Sequence, residues 1–396
     1  MPRPNIVLIM ADDLGDEVIG AYGGQSYDTP NIDSLAQNGT RFTHAFSTPK
    51  CSPSRATILT GRYTFRYPHK WGYLPPKEIT FGNVLRDAGY ATAAAGKWQM
   101  ALLEDDPLHP RKEGFNRYSF WAWHEGPRYY DPMIWQDAKL LEETIDHRYG
   151  PDLYTDFLID HIERNRGPHQ RFLAYFPMTL PHFAKTGGPY EEPTAPDGEY
   201  QGYRELVGHM DRLVGRIVDA LERLDLRERT LIVFTGDNGT PQRVDSLQVK
   251  GRTVQGGKGK MTDAGTRVPL IASWPGHVPS GRVSDALIDF SDFLPTLADL
   301  AGGRAPQDRP IDGASFVPQL LGSDDPHRPW VYTKWKDREW VRTHDWKLYG
   351  DGTLYHVAED VREQHPLRPG EGGDEAAAAR KTLRRAFGQL GRASDE

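Results

Sequence analysis

Short apolar runs alternate with amphipathic segments along most of the chain. Nearly continuous apolar runs of this kind are typical of strands buried on both faces of a sheet, and they occupy residues 5–10, 91–96, 171–176, 230–235 and 268–273. The clearest helical pattern covers residues 201–226, where leucine, isoleucine and methionine recur at three- and four-residue spacing. This alternation predicts an α/β fold in which a large, mostly parallel or mixed sheet is sandwiched by helices.

The pattern changes after about residue 325. Residues 330–357 are aromatic and β-branched, with a turn signal at Gly350-Asp351-Gly352, and they predict a small antiparallel sheet. Residues 372–391 predict one helix that is mostly solvated. We therefore expect two domains: an α/β domain over residues 1–325 and a small antiparallel-sheet subdomain with a terminal helix over residues 326–396.

Composition narrows the class of protein. The 48 Lys and Arg residues against 55 Asp and Glu residues give a net charge of −7, which argues against broad nucleic-acid binding. A single cysteine excludes an internal disulfide and a four-cysteine zinc site. No apolar stretch is long enough for a membrane span, and no signal peptide is visible. We expect a cytoplasmic protein as the sequence stands, or a periplasmic or secreted one where a signal has been removed. The sequence does not give the oligomeric state.

Polar side chains follow the apolar runs at the points where the predicted strands end. In open parallel sheets, ligands bind outside the carboxyl ends of the strands, so these side chains are expected to converge. Carboxylate and amide oxygens suit Ca²⁺ or Mg²⁺ better than zinc. The alternative is that the acidic residues cap helices or form turns. The residues concerned are Asp12, Asp13, Lys97, His182, Asp237 and Asn238.

The lone cysteine, Cys51, precedes a predicted short helix over residues 52–61, with Pro53 in its first turn and Gly61 at its end. A helix N-terminus favours anions. Two other interpretations remain open at this point: a buried structural thiol and a thiolate nucleophile with a lowered pKa.

A Gly-rich basic segment, residues 249–269, lacks the Walker pattern. It is either a surface loop or a loop that carries a lysine to a substrate; its basic residues include Lys250, Arg252, Lys258 and Lys260.

Several motifs occur together in one order along nearly the whole chain. With them the chain resembles the type I, formylglycine-dependent sulfatases of the alkaline phosphatase superfamily. The signature Cys-x-Pro-x-Arg is present as "CSPSR" at 51–55. The other matching segments are "PNIVLIMADDLG" (4–15), "TPNIDSLAQNGTRFTHAF" (29–46), "AGYATAAAGKW" (88–98), "PH" (181–182), "FTGDNG" (234–239), "GGKGKMTDAGTRVP" (256–269), "WKLY" (346–349) and "LYHVAEDVREQ" (354–364).

The resemblance implies a sulfatase-like catalytic domain over residues 1–325 and a role for each matching residue. Cys51 would be oxidised by a separate formylglycine-generating maturation enzyme, and the hydrated aldehyde would be the nucleophile. Arg55 would hold its hydroxyl. Residue 51 would also complete the shell of a Ca²⁺ ion, with Mg²⁺ as the alternative, bound by Asp12, Asp13, Asp237 and Asn238. Sulfate oxygens would be bound by Lys97 and Lys258, and the leaving oxygen would be bound or protonated by His182.

The implied activity is hydrolysis of a sulfate monoester on a sulfated carbohydrate or a small aryl or alkyl sulfate. The chain departs from the family at Gln99, where most members have a histidine thought to help the elimination step. Gln99 remains a candidate to bind the substrate by hydrogen bonds, but it cannot take a proton near neutral pH. His69 and His124 are the candidates to replace that histidine and to contact the substrate. Asp263, in the altered "TDAGT" loop, receives no role.

The aromatic region 102–150 predicts either a wall that binds a sugar or aryl group or a packed loop. Two further functions remain open on the sequence. One is a phosphodiesterase or phosphonate monoester hydrolase on the same scaffold. The other is a metal-binding pseudoenzyme, which the glutamine at position 99 suggests.

Overall fold

The computed structural model describes residues 2–141, 148–182 and 202–391, without the side chains of His124 and Lys250. Its main sheet has ten strands in the order β12-β2-β11-β8-β1-β7-β3-β4-β5-β6, and β13–β16 form a separate four-stranded sheet. The strands are β1 Asn5–Ala11, β2 Thr40–Phe46, β3 Tyr90–Lys97, β4 Arg117–Trp121, β5 Ile134–Gln136, β6 Lys139–Leu141, β7 Arg171–Pro177, β8 Thr230–Gly236, β9 Asp245–Leu247, β10 Thr253–Gln255, β11 Arg267–Ser273, β12 Arg282–Asp289, β13 Val331–Trp335, β14 Arg338–Arg342, β15 Trp346–Tyr349 and β16 Leu354–His356.

Helices cover both faces of the main sheet. They are α1 Pro30–Gln37, α2 Cys51–Thr60, α3 Phe81–Asp87, α4 His109–Lys112, α5 Gly150–Arg164, α6 Tyr203–Arg223, α7 Asp263–Thr266, α8 Phe293–Ala301, α9 Val317–Leu320 and α10 Gly373–Gln389. No helix in the described ranges combines the length and the apolar character that crossing a membrane requires.

Strand β1 lies at the centre of the fold and is buried along its whole length. Its side chains alternate between two cores: Ile6, Leu8 and Met10 pack on one face and Val7 and Ile9 on the other. Burial of one such aliphatic side chain contributes about 1.5–3 kcal/mol. The prediction that this run is a strand buried on both faces is confirmed.

The sheet is mixed, with a parallel centre. Strands β8, β1, β7, β3 and β4 are mutually parallel, whereas β11 runs antiparallel to both of its neighbours, β2 and β8. The apolar run at 268–273 therefore forms the predicted buried strand, although its composition does not reveal its direction. The predicted helix at 201–226 is α6, which ends at Arg223.

The C-terminal strands β13–β16 form an antiparallel meander with a turn around Gly352, as expected. The final helix is mostly solvated, as expected. One face of α10 is buried against the meander through Leu383, Ala386 and Phe387.

The meander also holds two loops of the main domain. Thr333 Oγ1 donates a hydrogen bond to the Ser47 carbonyl (2.9 Å), and Trp340 Nε1 donates one to the Met261 carbonyl (2.8 Å). Ser47 precedes α2 by four residues, and Met261 lies within the Gly-rich segment, three residues after Lys258. The meander therefore fixes both loops relative to the main sheet.

Candidate active site

The polar residues that follow the central strands meet at one edge of the sheet. Strands β8, β1, β7 and β3 are consecutive neighbours, and Ala11 of β1 pairs with Gly236 of β8. The residues after these two positions therefore lie side by side. The side chains brought together from the four strand ends are Asp12, Asp13, Lys97, His182, Asp237 and Asn238.

Three carboxylates and the cysteine form a buried cluster. One ligand atom each from Asp12, Asp13, Cys51 and Asp237 lies within 4.8 Å of the others, and none of these residues is more than 3% exposed. Asn238 adjoins the cluster, since its Nδ2 donates to Asp13 Oδ1 at 2.9 Å.

Two features of this cluster fit a hard divalent cation. Adjacent carboxylates repel unless positive charge lies between them. The Asn238 Oδ1 atom is fully buried and has no hydrogen-bond partner among the described residues, so rotation of the amide would offer a further oxygen ligand. Oxygen ligands of this kind suit Ca²⁺ or Mg²⁺.

Cys51 enters the cluster because it is the first residue of α2. The helix spans Cys51–Thr60, one residue earlier than predicted, and is followed by Gly61, whose φ of 67° is in the left-handed region. Every residue of α2 is buried. The Cys51 Sγ atom lies 3.9 Å from Asp13 Oδ1.

The thiol itself is poorly suited to this position. Burial raises the pKa of Cys51 to about 11, so the interpretation as a thiolate with a lowered pKa is wrong for the chain as it stands. Sulfur is also a soft ligand in a set of hard oxygen ligands. An oxygen-bearing group at position 51 would match its neighbours, and a thiol does not.

Arg55 lies one turn along α2 and reaches into the same cluster. Its Nη2 donates to Asp237 Oδ2 at 2.8 Å, and its Nη1 donates to the Lys97 carbonyl at 3.0 Å. Burial opposes the charge of the guanidinium, but Asp237 and Asp12 raise the pKa of Arg55 above its ordinary value. The side chain is therefore a permanent buried cation.

Lys97 ends β3 and binds the first carboxylate. Its Nζ lies 3.0 and 2.8 Å from the two Asp12 oxygens. Burial opposes ionisation of Asp12, but Lys97 and the other surrounding cations hold its pKa well below the ordinary range. Asp237 differs, because burial and the charge of Asp12 raise its pKa to about 6.

Lys258 and His182 are on the more accessible side of the cluster. Lys258 Nζ donates to Asp13 Oδ2, and His182 Nε2 lies 3.6 Å from the same oxygen. Their side chains are 17% and 24% exposed, whereas Lys97 is 2% exposed. Burial, Arg128 and Lys258 hold the pKa of His182 well below its ordinary value, so its imidazole is neutral in the unliganded protein.

Gln99 and one of the two histidines proposed to replace the usual histidine can be described. Gln99 is buried two residues after Lys97, with a φ of 52° and an Oε1 that has no partner in the described ranges. His69 is half-buried, and neither of its buried ring nitrogens has a hydrogen-bond partner among the described residues. The side chain of His124 lies outside the described residues.

Asp263 has a structural position. It binds Arg342 Nη1 and, at 2.7 Å, Lys347 Nζ, both from the C-terminal meander. These cations overcome the effect of burial and lower the pKa of Asp263 below its ordinary value. Asp263 therefore ties the Gly-rich segment to the meander.

Two cations near the cluster were not singled out from the sequence. Arg128 Nη1 lies 3.9 Å from Asp12 Oδ2. Lys50, which precedes Cys51, lies against Gly259, where an added Cβ would come 3.3 Å from its Nζ. The aromatic region 102–150 contains Arg128, but its composition gives no sign of which charged residue faces the strand ends.

The chain matches known protein families over most of its length. Residues 4–303 match the family model described as Sulfatase, and residues 257–351 match the model for the N-sulphoglucosamine sulphohydrolase C-terminal region.

Individual relatives agree with these family matches. N-acetylgalactosamine-6-sulfatase of Canis lupus familiaris is 30% identical, over 92% of this chain and 78% of the relative. Arylsulfatase G of Mus musculus is 32% identical, over 81% and 69%. The crystal structure of Ps i-CgsB in complex with k-i-k-neocarrahexaose superposes with a TM-score of 0.82 at 25% identity, covering 100% of this chain and 94% of that chain.

These matches agree with the buried cluster of three carboxylates and Cys51 that follows the central strands. They do not favour the alternative of a phosphodiesterase or phosphonate monoester hydrolase. They confirm the resemblance and the fold class inferred from the sequence. The chain belongs to the sulfatase family of the alkaline phosphatase superfamily and is a sulfuric ester hydrolase.

Proposed function

We propose that this protein hydrolyses sulfate monoesters of carbohydrates, using a formylglycine made from Cys51 and a Ca²⁺ ion bound at the carboxylate cluster. The observation that carries the proposal is the position of Cys51, which lies in an otherwise oxygen-based cluster at the start of a buried helix. Conversion of the thiol to a hydrated aldehyde would place oxygen where the cluster now holds sulfur.

The metal would be held by the three carboxylates and by the Asn238 amide oxygen, which lacks a partner in the described part of the chain. When bound, a divalent cation supplies Lewis-acid stabilisation of negative charge on sulfate oxygens, and the formylglycine hydrate supplies the nucleophilic hydroxyl. Mg²⁺ remains the alternative ion, since the ligand types suit both.

The chain's own cations provide the remaining charge stabilisation. Lys97 pairs with Asp12, and Lys258 pairs with Asp13. The ammonium groups of both lysines would bind the sulfate oxygens. Arg55 is fixed by two hydrogen bonds and would hold the hydroxyl of residue 51. Preorganised donors of this kind stabilise charge that develops in a transition state without having to reorganise.

His182 is the proposed partner of the leaving oxygen. Its imidazole is neutral before substrate binds, and its Nε2 already lies near the cluster. A neutral imidazole can donate one hydrogen bond to the ester oxygen. An incoming anion favours the protonated form, which could then transfer a proton as the alcohol leaves.

The carbohydrate part of the proposal is supported by relatives. The canine relative is an N-acetylgalactosamine-6-sulfatase, and Ps i-CgsB was crystallised in complex with k-i-k-neocarrahexaose. Small aryl sulfates serve as test substrates for the same chemistry.

The experiment is to produce the chain with and without a formylglycine-generating enzyme. Peptide mass analysis would measure conversion of Cys51, and assays would compare 4-nitrophenyl sulfate, N-acetylgalactosamine 6-sulfate and matched phosphate monoesters and diesters. We expect sulfate hydrolysis only in converted protein, and none in Cys51→Ser. Equal activity of the unconverted chain, or hydrolysis of phosphate esters alone, would overturn the proposal.

A further inference from the structure

Trp71 lies in a tight turn beside the start of helix α2. The Tyr73 amide donates a hydrogen bond to the Lys70 carbonyl at 3.0 Å, and Gly72 has a φ of 74°. The Gly72 amide donates to Ser52 Oγ at 2.7 Å. The turn is therefore fixed to the second residue of α2, and it holds Trp71 next to that residue.

The same turn is also held from the side of strand β3. The Leu74 amide donates to the Met100 carbonyl at 2.8 Å, three residues after Lys97. Gly72 packs so closely against the Trp123 ring that an added Cβ would collide with it. The turn thus lies between the start of α2 and the segment that follows Lys97, and both of these carry residues of the proposed active site.

Trp335 approaches Trp71 from the C-terminal meander. The two ring centroids are 5.7 Å apart, and the ring planes make an angle of 64°. Trp335 is the last residue of β13 and is on the same face of that strand as Thr333, which binds the Ser47 carbonyl. Trp71 and Trp335 are therefore anchored on the two sides of Cys51 in sequence.

The two tryptophan rings form an aromatic surface that is partly open to solvent. Trp71 is 41% exposed, and no other tryptophan, tyrosine or phenylalanine in the described ranges is as exposed. Trp335 is half-buried and packs on the core cluster that contains Phe46 and Met261. Large rigid aromatic side chains of this kind provide the apolar part of ligand-binding sites, on which the C–H face of a sugar ring can pack.

Lysines lie at the edge of this aromatic surface. Lys336 Nζ is 5.9 Å from the centroid of the Trp335 ring, and Lys70 Nζ is 4.3 Å from that of Tyr73 in the turn. Neither lysine has an acidic partner at ion-pair distance in the part of the chain that the structure describes. Their positive charge is therefore complementary to a sulfated or carboxylated sugar.

The difference in burial indicates which part of a substrate would reach the aromatic surface. Cys51 is 3% exposed, whereas Trp71 is 41% exposed. The scissile sulfate has to enter the buried cluster, so the sugar that carries it would occupy the space next to the cluster. A ring packed on Trp71 would lie nearer the solvent, where the next sugar of a chain would be.

We propose that Trp71, Trp335 and Lys336 bind a second sugar residue of the substrate, next to the sugar that carries the scissile sulfate. The substrate class is then an anionic oligosaccharide, of which a sulfated monosaccharide fills only part of the site. This inference rests on the proposed function and goes beyond it by naming the size of the substrate and the residues that select it.

The test measures binding without turnover, in the variant Cys51→Ser with Ca²⁺ present, for which the proposed function expects no hydrolysis. Calorimetric Kd values would be compared for N-acetylgalactosamine 6-sulfate against a chondroitin 6-sulfate tetrasaccharide, and for galactose 4-sulfate against a κ-carrageenan tetrasaccharide. We expect the tetrasaccharide of at least one pair to bind about tenfold or more tightly.

The same ratios would be measured after adding Trp71→Ala, and we expect most of the preference to be lost. Trp71→Phe keeps an aromatic ring and should retain part of it. Lys336→Gln should lower the preference and weaken its dependence on salt. Trp330→Ala is the matched control, because Trp330 is also half-buried, but its Nε1 donates to Gln389 of α10 at 3.3 Å. This control should keep the full preference.

The inference is overturned if neither tetrasaccharide binds more tightly than its monosaccharide, or if Trp71→Ala leaves the ratios unchanged. If Trp71→Ala does not fold by circular dichroism, the exposed variant Lys336→Gln decides the question: unchanged ratios would overturn the inference. Hydrolysis of 4-nitrophenyl sulfate by the converted wild type separates the two proposals. Its absence counts against the proposed function, whereas activity without a tetrasaccharide preference counts against the aromatic surface alone.

Discussion

Arg55 and Asp237 form a buried ion pair in which Nη2 and Oδ2 are 2.8 Å apart and the two side chains are 1% and 0% exposed. The pair joins α2 to the residue that follows strand β8, and the two residues are separated by 182 positions in sequence. Arg55 therefore both positions α2 and holds a buried positive charge beside Asp237.

Replacement of Arg55 by alanine should cost both stability and metal affinity. Removing one partner of a buried ion pair leaves an uncompensated charge and typically costs about 3–5 kcal/mol. Urea unfolding and calcium content would measure the two effects. Arg62→Ala is the control, since Arg62 pairs with Glu78 at 2.6 Å in a largely buried position away from the cluster. It should lose stability and keep calcium; calcium retained by Arg55→Ala would contradict the assignment.

Asp237→Asn should lose bound calcium and most activity together, because Asp237 is both a proposed metal ligand and the partner of Arg55. Loss of one transition-state contact of this type costs about 10²–10³ in rate. Elemental analysis of the purified variant would give the metal content. Asp211→Asn is matched in burial, but Asp211 accepts hydrogen bonds from the start of α1 instead. A loss of calcium in both variants would show that the effect is not local to the cluster.

Gln99 is expected to contribute to turnover through its buried oxygen. Gln99→Leu removes that acceptor at similar volume and should lower kcat about tenfold or more, while KM changes little. Gln99→His should retain turnover and add an ionisation near the ordinary histidine pKa to the kcat profile. The measurement is kcat against pH for all three proteins, and wild-type kcat in Gln99→Leu would rule out the role.

A pH dependence of stability is expected from Glu113, which is buried and is not part of the carboxylate cluster. Burial, with Glu78 and Asp106, raises its pKa from 4.5 to about 8. The folded state therefore holds this proton more tightly than the unfolded chain. Its contribution is complete below pH 4.5 and is lost as pH rises through about 8.

Glu113→Gln should remove this dependence. The difference in unfolding free energy between variant and wild type should shift in favour of the variant by a few kcal/mol between pH 5 and pH 9. Thermal melts across that range would measure it. Asp87→Asn, at a side chain that is 71% exposed, is the control and should show no such shift. Parallel curves for Glu113→Gln and wild type would contradict the prediction.

The central strands and the convergence of their polar ends could be predicted because both depend on local pattern. A buried parallel strand appears as an apolar run, and the residues after it must lie at its carboxyl end. Asp12, Asp237 and Lys97 follow such runs directly, and the structure brings them together.

Arg128 and the direction of β11 could not be predicted in the same way. Arg128 reaches the cluster from an excursion between strands, and its position depends on packing against Trp121 and not on any local pattern. An apolar run such as 268–273 looks the same whether the strand is parallel or antiparallel to its neighbours. Its antiparallel pairing with β2 and β8 depends on contacts between residues that are far apart in sequence. The burial of one face of α10 likewise depends on contacts with the distant meander.

Cys51 is only 3% exposed, and the meander locks the loop in front of it through Thr333 and Ser47. An enzyme that oxidised this residue, as proposed, would have no access to it in the finished fold. Conversion would then have to precede the closing of the C-terminal strands, which are synthesised after Cys51. The order of elements along the chain would thereby limit modification of Cys51 to the period before the C-terminal strands pack against the main domain.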